Sequence, residues 1–405
     1  MRVLHLNEHL NWTGGVETYL LHLIPALESA GIEQHYVFAR GNSSLLSRSY
    51  HLPDLGKPEK KAEQFGFARV KELLNTVQPD LIHVHRIYNL GVLRACLEFG
   101  PTVVTCHDYL YLCPAGSFFH RRTKTICNRK ASPACFVITI FKRCLTPRPR
   151  FAIAYYRRVK TFCRWRREFH AVICPSESVR LRLLAMDFDP LRTVTLPYFC
   201  PLEPRLEPRP LPKEPTILFM GRVRPIKGYD VFIRALGELP NVRGIMVGDV
   251  DNTSAKAIDR LATDSGCASR LEVRPWASRH EIPSLLQSTT LFVFPSIWPE
   301  TLGIVGLEAM AFGVPVVASD VGGVRQWLRH GENGLLVPPK DHHALAAAIE
   351  SLINAPETLM RMGKAGLDTV RNGFLVQQHV ERLTSLYYQV ARGNPLPVSA
   401  HGSTS

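Results

Sequence analysis

The chain has 405 residues, a length that exceeds one ordinary hydrophobic core and predicts two domains. The net charge of +14 at pH 7 favours anionic partners such as nucleic acid, anionic lipid or phosphorylated substrates. No apolar run approaches the roughly 20 residues that a membrane-spanning helix needs, which excludes an integral membrane protein. No basic segment followed by an apolar one indicates a signal peptide, so we expect a cytoplasmic protein.

Short β-branched runs alternate with longer amphipathic stretches in the first half of the chain. The runs RVLHLN, HYVFAR, DLIHVH, TVVTCHD and AVICPS predict buried strands. Between the first two, ETYLLHLIPALESAG has apolar residues at helical spacing and ends at Gly31, a residue type favoured at helix ends. This alternation predicts a parallel sheet of βα units, and we assign the first domain to residues 1–196.

A proline-dense segment, residues 197–215, follows and predicts a stiff linker. After it, TILFMGRV, RGIMVGDV, LEVRPWA, TLFVFPS, VPVVASD and GLLVPP predict a second set of strands, in a domain assigned to residues 216–375. A helix is expected over residues 376–392 and a disordered tail over residues 393–405. The predicted fold class is therefore α/β, with two doubly wound, Rossmann-like parallel-sheet domains.

Two carboxylates stand eight positions apart in the apolar segment PSIWPETLGIVGLEAMAFGVPVVASD. Glu300 follows the strand LFVFPS and a proline, and Glu308 lies within the predicted helix TLGIVGLEAMAF. Eight helical residues span about 12 Å, which approximates the separation between a nucleotide's ribose and a sugar on its diphosphate. The diphosphate would lie over the helix N-terminus, which favours anions. Spacing alone is equally consistent with a structural alternative, in which one glutamate is a solvated helix cap and the other is an ordinary surface residue.

Several other side chains follow predicted strands, at the sheet edge where ligands of such folds bind. GRVRPIKG places Arg222 and Lys227 there, and the two cations suit a diphosphate, although a basic surface loop gives the same pattern. In the first domain, Gly14 and Gly15 precede a helix, and His107 ends a strand. A glycine pair is more often a plain turn, and a lone histidine in this place is more often structural.

In combination these segments resemble a known family. GGVE near the start, GRVRPIKG after the linker and PETLGIVGLEAMAFGVPVVASDVGG, which contains Glu-x7-Glu, have the order and spacing of retaining glycosyltransferase family 4, bacterial polysaccharide-assembly type. The resemblance covers nearly the whole chain and is firmest over residues 216–340. It implies the GT-B fold, in which two Rossmann-like domains face across a cleft, and a C-terminal helix that crosses back to the first domain.

The resemblance also implies roles for individual residues. Arg222 and Lys227 would stabilise the departing diphosphate, and His107 would lie near the transferred sugar. Glu300 would contact hydroxyls of the donor sugar, and Glu308 would bind the ribose. The remaining donor contacts would come from four backbone positions, namely Gly14, Gly15, Leu302 and Gly303.

The implied reaction moves a hexose from a UDP- or GDP-sugar to a saccharide or lipid-linked acceptor of a surface polysaccharide such as lipopolysaccharide. No metal and no further cofactor are expected, because cations and a helix end take the place of a divalent ion. Three departures leave the donor open: ETLGIV replaces the usual Gly-Phe-Gly, VGGVRQWL replaces GG-x-P-E, and GDV replaces Gly-x-Gly.

A basic insert is predicted over residues 113–170. From His120 to His170, fifteen lysines and arginines stand against one acidic residue, Glu168. Interspersed with Phe, Tyr and Trp, they suit an anionic membrane surface, which predicts a peripheral location on the inner face of the cytoplasmic membrane. A solvated basic face and RNA binding are the alternatives, but no segment resembles an RNA-binding module, so no nucleic-acid partner is expected.

Four cysteines of the insert, Cys113, Cys127, Cys135 and Cys144, are weak candidates for a structural zinc site, and His120 lies among them. Their long, irregular spacing differs from the paired Cys-x2-Cys hooks of most zinc sites. The ten cysteines of the chain are also too few and too scattered for a disulfide scaffold. Reduced thiols are therefore the stronger expectation.

A different class of protein fits the same pattern, namely a non-catalytic sugar-nucleotide-binding or partner subunit on this fold. The presence of Arg222, Lys227, Glu300 and His107 argues against it, since a binding relic tends to lose such groups. A GT-B phosphorylase would need a lysine site for pyridoxal phosphate, which no segment identifies. A dinucleotide dehydrogenase is disfavoured because neither half contains GxGxxG.

Overall fold

The computed structural model describes residues 1–12, 14–58, 60–206 and 210–394. The predicted tail from residue 395 onward and residues 207–209 of the predicted linker lie outside the described residues. The chain divides into two compact units, Met1–Tyr198 with the chain from Val376 onward, and Phe199–Leu375. Each unit is built on a parallel sheet flanked by helices, which confirms the predicted fold class.

The strands of the first unit are β1 (Arg2–Leu6), β2 (His9–Leu10), β3 (Glu33–Phe38), β4 (Arg40–Gly41), β5 (Ser49–His51), β6 (Leu81–Val84), β7 (Thr102–Thr105), β8 (Phe119–His120), β9 (Thr125–Ile126), β10 (Ala171–Cys174) and β11 (Thr193–Thr195). Those of the second unit are β12 (Thr216–Met220), β13 (Arg243–Val247), β14 (Leu271–Arg274), β15 (Leu291–Phe294), β16 (Val316–Ser319) and β17 (Gly334–Val337).

The helices of the two units are α1 (Gly15–Ser29), α2 (Lys60–Val77), α3 (Leu90–Phe99), α4 (Ala134–Lys142), α5 (Pro149–Arg164), α6 (Glu177–Leu184), α7 (Tyr229–Gly237), α8 (Asn252–Asp264), α9 (Ile282–Gln287), α10 (Ile304–Ala311), α11 (His342–Ile353), α12 (Pro356–Gly373) and α13 (Val376–Ala391). The last of these, α13, belongs to the first unit and packs on α1 and β6. Among the described helices, none is both long and apolar enough to cross a membrane.

The first unit has a seven-stranded sheet in the order β11-β10-β7-β6-β1-β3-β5. All its neighbouring strands run parallel. Its central strands are buried on both faces, which explains why their sequences are almost continuously apolar. The short hairpin β8–β9 is antiparallel and lies within the predicted insert.

The second unit has a six-stranded parallel sheet in the order β14-β13-β12-β15-β16-β17. The chain starts at β12, continues outward to β13 and β14, and then returns to β15 on the other side of β12. This reversal creates a topological switch point between β12 and β15. Ligands of open parallel sheets bind beyond the carboxyl ends of the strands at such a point.

The predicted helix TLGIVGLEAMAF is correct in type and wrong at its start. The helix α10 begins at Ile304, so the residues between Glu300 and Gly303 form a turn instead of helix. Gly303 has a φ of 94°, a left-handed conformation that a helix cannot continue through. The indole of Trp327 donates a hydrogen bond of 2.7 Å to the Leu302 carbonyl and holds this turn. The eight-residue spacing of the glutamates therefore does not correspond to 12 Å of helix.

Candidate functional site

Lys227 and Glu300 form an ion pair at the switch point of the second unit. Lys227 follows β12 and Glu300 follows β15, and these two strands are neighbours in the sheet. The Lys227 Nζ lies 2.6 Å from the Glu300 Oε1, and the exposed fractions of the two side chains are 18% and 4%. Because each charge compensates the other, the pair can lie in this largely apolar environment, beside the Trp298 ring.

Arg222 offers a second positive charge on the loop after β12. Its side chain is exposed, and its guanidinium has no hydrogen bond or ion pair with any described residue. The next arginine of the loop, Arg224, instead pairs with Asp249 at 3.3 Å and with Asp251 at 2.9 Å. Arg222 is therefore the arginine of this loop that is available to an anionic ligand.

Glycines bring the loops around this ion pair into close contact. Gly228 has a φ of 73°, and a Cβ on it would lie 1.8 Å from the carbonyl oxygen of Pro295. Gly322, after β16, has a φ of 55°, and its Cβ would lie 2.1 Å from the carbonyl oxygen of Glu300. The neighbouring Gly323 amide donates a 2.7 Å hydrogen bond to that same carbonyl. Both motif glycines thus position the backbone that carries Lys227 and Glu300.

Glu308 lies on α10 and is buried. Burial raises the pKa of its carboxyl to about 7, and the positive charge of Arg279 opposes that shift. Sequence reasoning missed Arg279, which lies on the segment between β14 and α9. The available signal was its place after the strand LEVRPWA, at the same edge of the sheet as Arg222 and Lys227. The carboxyl is thus poised to change protonation near neutral pH.

His107, in the first unit, belongs to a chain of hydrogen-bonded side chains that connects neighbouring strands of the sheet. The chain runs from Gln34 on β3 through His5 on β1 and His85 to His107 and Tyr198. Its four links measure 2.6, 2.9, 2.8 and 2.6 Å in that order. All five side chains are buried. His107 therefore has protein partners at both ring nitrogens.

The amide of Gln34 fixes the direction of this chain. Its Nε2 donates to the carbonyl of Ile32, so its Oε1 accepts from His5 Nε2. A neutral His5 then accepts at Nδ1 from His85 Nε2, and His85 in turn accepts at Nδ1 from His107 Nε2. The remaining His107 nitrogen, Nδ1, accepts from the Tyr198 hydroxyl. Every proton of the chain thus has a single assignment.

Burial keeps these imidazoles neutral. It lowers the pKa of His5 to about 4 and that of His107 to about 3, and it lowers the pKa of His85 well below the ordinary value. Ring nitrogens of His5, His83 and His85 lie within 4.8 Å of one another, a spacing that a metal ion could use. His83 also has two partners, Thr105 and Tyr387, so the three histidines are fully hydrogen-bonded without a metal.

The two glycines before α1 differ in their surroundings. A Cβ on Gly14 would lie 2.2 Å from a carboxylate oxygen of the buried Glu17, so Gly14 makes room for that side chain. A Cβ on Gly15 would meet nothing within 4 Å, and Gly15 is exposed. Packing therefore accounts for Gly14 and leaves Gly15 without a structural reason among the described residues.

Two family models divide the chain between them. The model for Glycosyltransferase Family 4 matches residues 13–203, and that for Glycosyl transferases group 1 matches residues 205–369. The chain belongs to the family 4 type of glycosyltransferase. The predicted family is thereby confirmed, and the second match contains the whole Glu-x7-Glu segment.

Similar proteins extend this result. The D-inositol 3-phosphate glycosyltransferase of Mycobacterium marinum is 36% identical over 147 residues, which cover 36% of this chain and 31% of that protein. The match thus spans about a third of the length of such relatives. A glycosyltransferase from Rickettsia africae has a TM-score of 0.74 at 16% identity, covering 97% of this chain and 99% of that one. Anabaena HepE in complex with UDP has a TM-score of 0.72 at 20% identity, covering 96% and 100%. These structural likenesses show the GT-B fold.

Proposed function

We propose that the protein is a retaining, metal-independent glycosyltransferase that moves a hexose from a UDP- or GDP-linked donor to a saccharide or lipid-linked acceptor. The observation that carries this proposal is the Lys227–Glu300 ion pair at the switch point of the second unit, together with Arg222 on the loop after β12, whose guanidinium pairs with no described residue. The family membership and the UDP bound by the similar Anabaena protein support a nucleotide-sugar donor. Gly14, Gly15 and His107 are assigned to the donor site on family resemblance.

Cations at this place act on the leaving group. When the bond from the sugar's anomeric carbon to the diphosphate breaks, the electron pair stays on the phosphate oxygen, where negative charge grows. Arg222 and Lys227 would stabilise that charge as preorganised groups. The acceptor oxygen would bond to the anomeric carbon from the same face, and its proton would pass to the departing phosphate oxygen. No nucleophile from the protein enters this step.

The two glutamates would hold the two ends of the donor. Glu300 uses Oε1 for Lys227, which leaves Oε2 to accept a hydrogen bond from a sugar hydroxyl. Glu308 would accept hydrogen bonds from the ribose, with the backbone at Leu302 and Gly303 between the two carboxylates. The helix α10 begins directly after Gly303, whose carbonyl accepts a hydrogen bond from the Gly306 amide. Amides at the start of a helix lack intrahelical partners in general, which suits a phosphate.

The helix α4 supports a lipid-linked acceptor at an anionic membrane. None of its residues is buried, although its sequence, ACFVITIFK, is almost wholly apolar. The exposed fractions of Val137, Ile140 and Phe141 are 58%, 72% and 61%. Exposed arginines follow directly, at positions 143, 148 and 150. An apolar helix bordered by cations matches the interface of an anionic bilayer in both hydrophobicity and charge.

The membrane assignment is tested by flotation with vesicles. We expect the protein to float with vesicles that contain anionic lipid and to remain unbound with neutral vesicles. The double variant I140S/F141S should lose this binding, whereas L181S, which alters an equally exposed leucine on α6, should keep it. Equal flotation of the two variants would contradict the assignment of α4.

The activity is tested by nucleotide release from a panel of UDP- and GDP-sugars, with and without EDTA and a membrane lipid extract. We expect release from one donor, unchanged by EDTA and increased by the extract. Inhibition by EDTA would contradict metal independence. Binding of one donor with no release under any condition would instead support the non-catalytic alternative. The configuration of the product at the anomeric carbon, measured by NMR, tests retention.

A further inference from the structure

Three side chains of the second unit converge on one point at its surface. Glu238 follows the last residue of α7, and His342 and His343 are the first two residues of α11, a helix that packs on α7. One oxygen of Glu238 and one ring nitrogen of each histidine all lie within 4.8 Å of one another. The two segments are far apart in the sequence, so the fold and not local spacing brings these groups together.

The cysteines of the insert show no such convergence. Among the described residues, no three sulfurs of Cys113, Cys127, Cys135 and Cys144 lie within 4.8 Å of one another. The sulfurs of a tetrahedral zinc site are about 3.8 Å apart, because each zinc–sulfur bond is about 2.3 Å long. The structure therefore does not favour the zinc site predicted in the insert, and these cysteines are free thiols.

The distances between Glu238, His342 and His343 fit the coordination sphere of a metal ion. The Glu238 Oε1 lies 2.8 Å from the His343 Nδ1 and 3.4 Å from the His342 Nε2. Two ligand atoms of a tetrahedral zinc ion are about 3.3 Å apart when their bonds to zinc are about 2.0–2.1 Å long. One ion can therefore contact all three atoms after side-chain rotations, which the exposed Glu238 and His343 can make.

The short contacts between these three side chains are not hydrogen bonds. Neither ring nitrogen has the orientation toward the carboxylate oxygen that a hydrogen bond requires, and the three side chains make no hydrogen bond with any described residue. Ligands of one metal ion show this arrangement, because each directs a lone pair at the ion and not at its neighbour. The buried histidines of the first unit differ, since hydrogen bonds already use their ring nitrogens.

The two imidazoles face the same point although they are neighbours in a helix. Side chains at consecutive helical positions do not face each other, yet the ring centroids of His342 and His343 lie 4.1 Å apart. The first turn of a helix also disfavours positive charge, because its free amides form the positive end of the helix dipole. The neutral imidazole is therefore favoured here, and this is the form that binds a metal ion.

We propose that Glu238, His342 and His343 bind one Zn²⁺ ion that joins α7 to α11. Imidazole nitrogens favour zinc over Mg²⁺ and Ca²⁺, which prefer oxygen ligands. The carboxylate offsets part of the charge of the ion, and the C-terminal end of α7 favours a cation beside it. Water would complete the coordination sphere, since the chain supplies three ligands and His343 is exposed.

This site lies away from the residues assigned to the donor. The nine residues of α7 lie between Gly228 and Glu238, which corresponds to about 14 Å of helix. The ion therefore stabilises the fold and takes no part in sugar transfer, and the inference does not depend on the proposed function. We expect EDTA to lower the melting temperature of the zinc-bound protein and to leave nucleotide release unchanged at a temperature where the protein stays folded.

The proposal is tested on the full chain, produced without a histidine tag and freed of metal with EDTA before dialysis. We expect isothermal titration calorimetry to show about one site per chain for Zn²⁺ and none for Mg²⁺. The variants E238Q and H342A/H343A should bind zinc at least about tenfold more weakly. The control H280A, which removes another exposed histidine, should bind zinc as the wild type does. Zinc should raise the melting temperature of the wild type by several degrees and leave that of H342A/H343A unchanged.

Three results would overturn the proposal. The first is a wild-type protein that binds no zinc, and the second is equal zinc affinity in the wild type and in H342A/H343A, which would place the ion elsewhere. The third is zinc binding that does not raise the melting temperature, because an ion that joins two helices stabilises the folded state. Melting temperatures measured in EDTA show whether the variants fold, so weaker zinc binding cannot be confused with misfolding.

Discussion

The Nζ of Lys227 lies 2.6 Å from the Oε1 of Glu300, across the loops that leave two neighbouring strands. Removing one partner leaves the other charge buried and uncompensated. Breaking a buried ion pair in this way typically lowers the free energy of unfolding by about 3–5 kcal/mol. The variants K227M and E300Q should each lower the free energy of urea unfolding by a few kcal/mol. The double variant should recover part of that loss, because no charge is left unpaired.

Turnover should respond differently from stability. If both groups act on the donor, each single variant and the double variant should lose nucleotide release by about 100-fold or more. Recovery of stability without recovery of turnover separates a role in the reaction from a role in the fold. Full activity in a folded E300Q or K227M would remove these residues from the site.

Arg222 and Arg224 provide a matched pair on one loop. The R222A variant should lower kcat/KM by about 100-fold without changing stability, because we propose that its guanidinium binds the donor's diphosphate, and it has no hydrogen bond or ion pair with a described residue. The R224A variant loses exposed ion pairs with Asp249 and Asp251, so its kcat/KM and its melting temperature should stay close to the wild type. Steady-state kinetics and thermal unfolding of both variants test this difference. A similar loss of activity in both would show that the loop's overall charge, and not Arg222, matters.

Glu308 should make nucleotide binding depend on pH. Burial raises the pKa of its carboxyl to about 7, so below that pH the free protein holds it in the neutral form. If the carboxylate binds the ribose, affinity should fall about tenfold per pH unit below 7 and level off above it. Isothermal titration calorimetry with UDP and GDP between pH 5.5 and 8.5 measures this profile. The E308Q variant should bind weakly, with a flat profile over the same range.

The histidine chain should make the fold sensitive to acid. Burial lowers the pKa of His5 to about 4 and that of His107 to about 3, whereas an exposed histidine of the unfolded chain has a pKa of 6.5. Below pH 6.5 the unfolded state therefore binds more protons than the folded state. Stability should be fully present above pH 6.5 and should fall as pH decreases from there toward 4. Each such histidine contributes about 1.4 kcal/mol per pH unit to that loss.

Urea unfolding at pH 7.5, 6.5 and 5.5 tests this sensitivity. The variant H5Q should take up about one proton fewer on unfolding, because glutamine cannot be charged. The free energy of unfolding should then change less steeply with pH. The exposed His280 is the control, and H280Q should leave the slope unchanged. A wild-type stability that does not vary between pH 7.5 and 5.5 would contradict neutral, buried imidazoles.

Gly15 distinguishes a ligand contact from a packing requirement. Because a Cβ at this position meets nothing within 4 Å, G15A should fold with unchanged stability. If donor phosphate approaches this backbone closely, the added methyl group should raise KM for the donor about tenfold. By contrast, G14A should be destabilised, because its Cβ would displace the buried Glu17 carboxylate. Unchanged KM in G15A would argue that Gly15 does not face the donor.

The sequence predicted well those features that depend on local pattern. Apolar runs identified all six strands of the second sheet and five of the seven strands of the first, and missed the two edge strands β5 and β11. Strand ends placed Lys227 and Glu300 after strands of the second sheet, but the ion pair between them was not predicted. Prediction from the sequence failed where tertiary contacts decide the outcome. The start of α10 is set by the left-handed Gly303 and by the Trp327 hydrogen bond, and neither is visible in a helical pattern. Arg279 follows a predicted strand and could have been noted for that reason, but its proximity to Glu308 joins distant segments, as do the partners of His107, so no local spacing could reveal these contacts.

The position of α13 has a consequence for biosynthesis. This helix provides Tyr387, whose hydroxyl lies 2.5 Å from the His83 imidazole on β6, although the two residues are 304 positions apart. A ribosome that adds 5–20 residues per second needs roughly 10–40 s to continue from β11 to α13. During that interval the nascent first unit lacks one of its helices and a partner for a buried histidine. The N-terminal half of this enzyme family member is thus the first to emerge and the last to be completed.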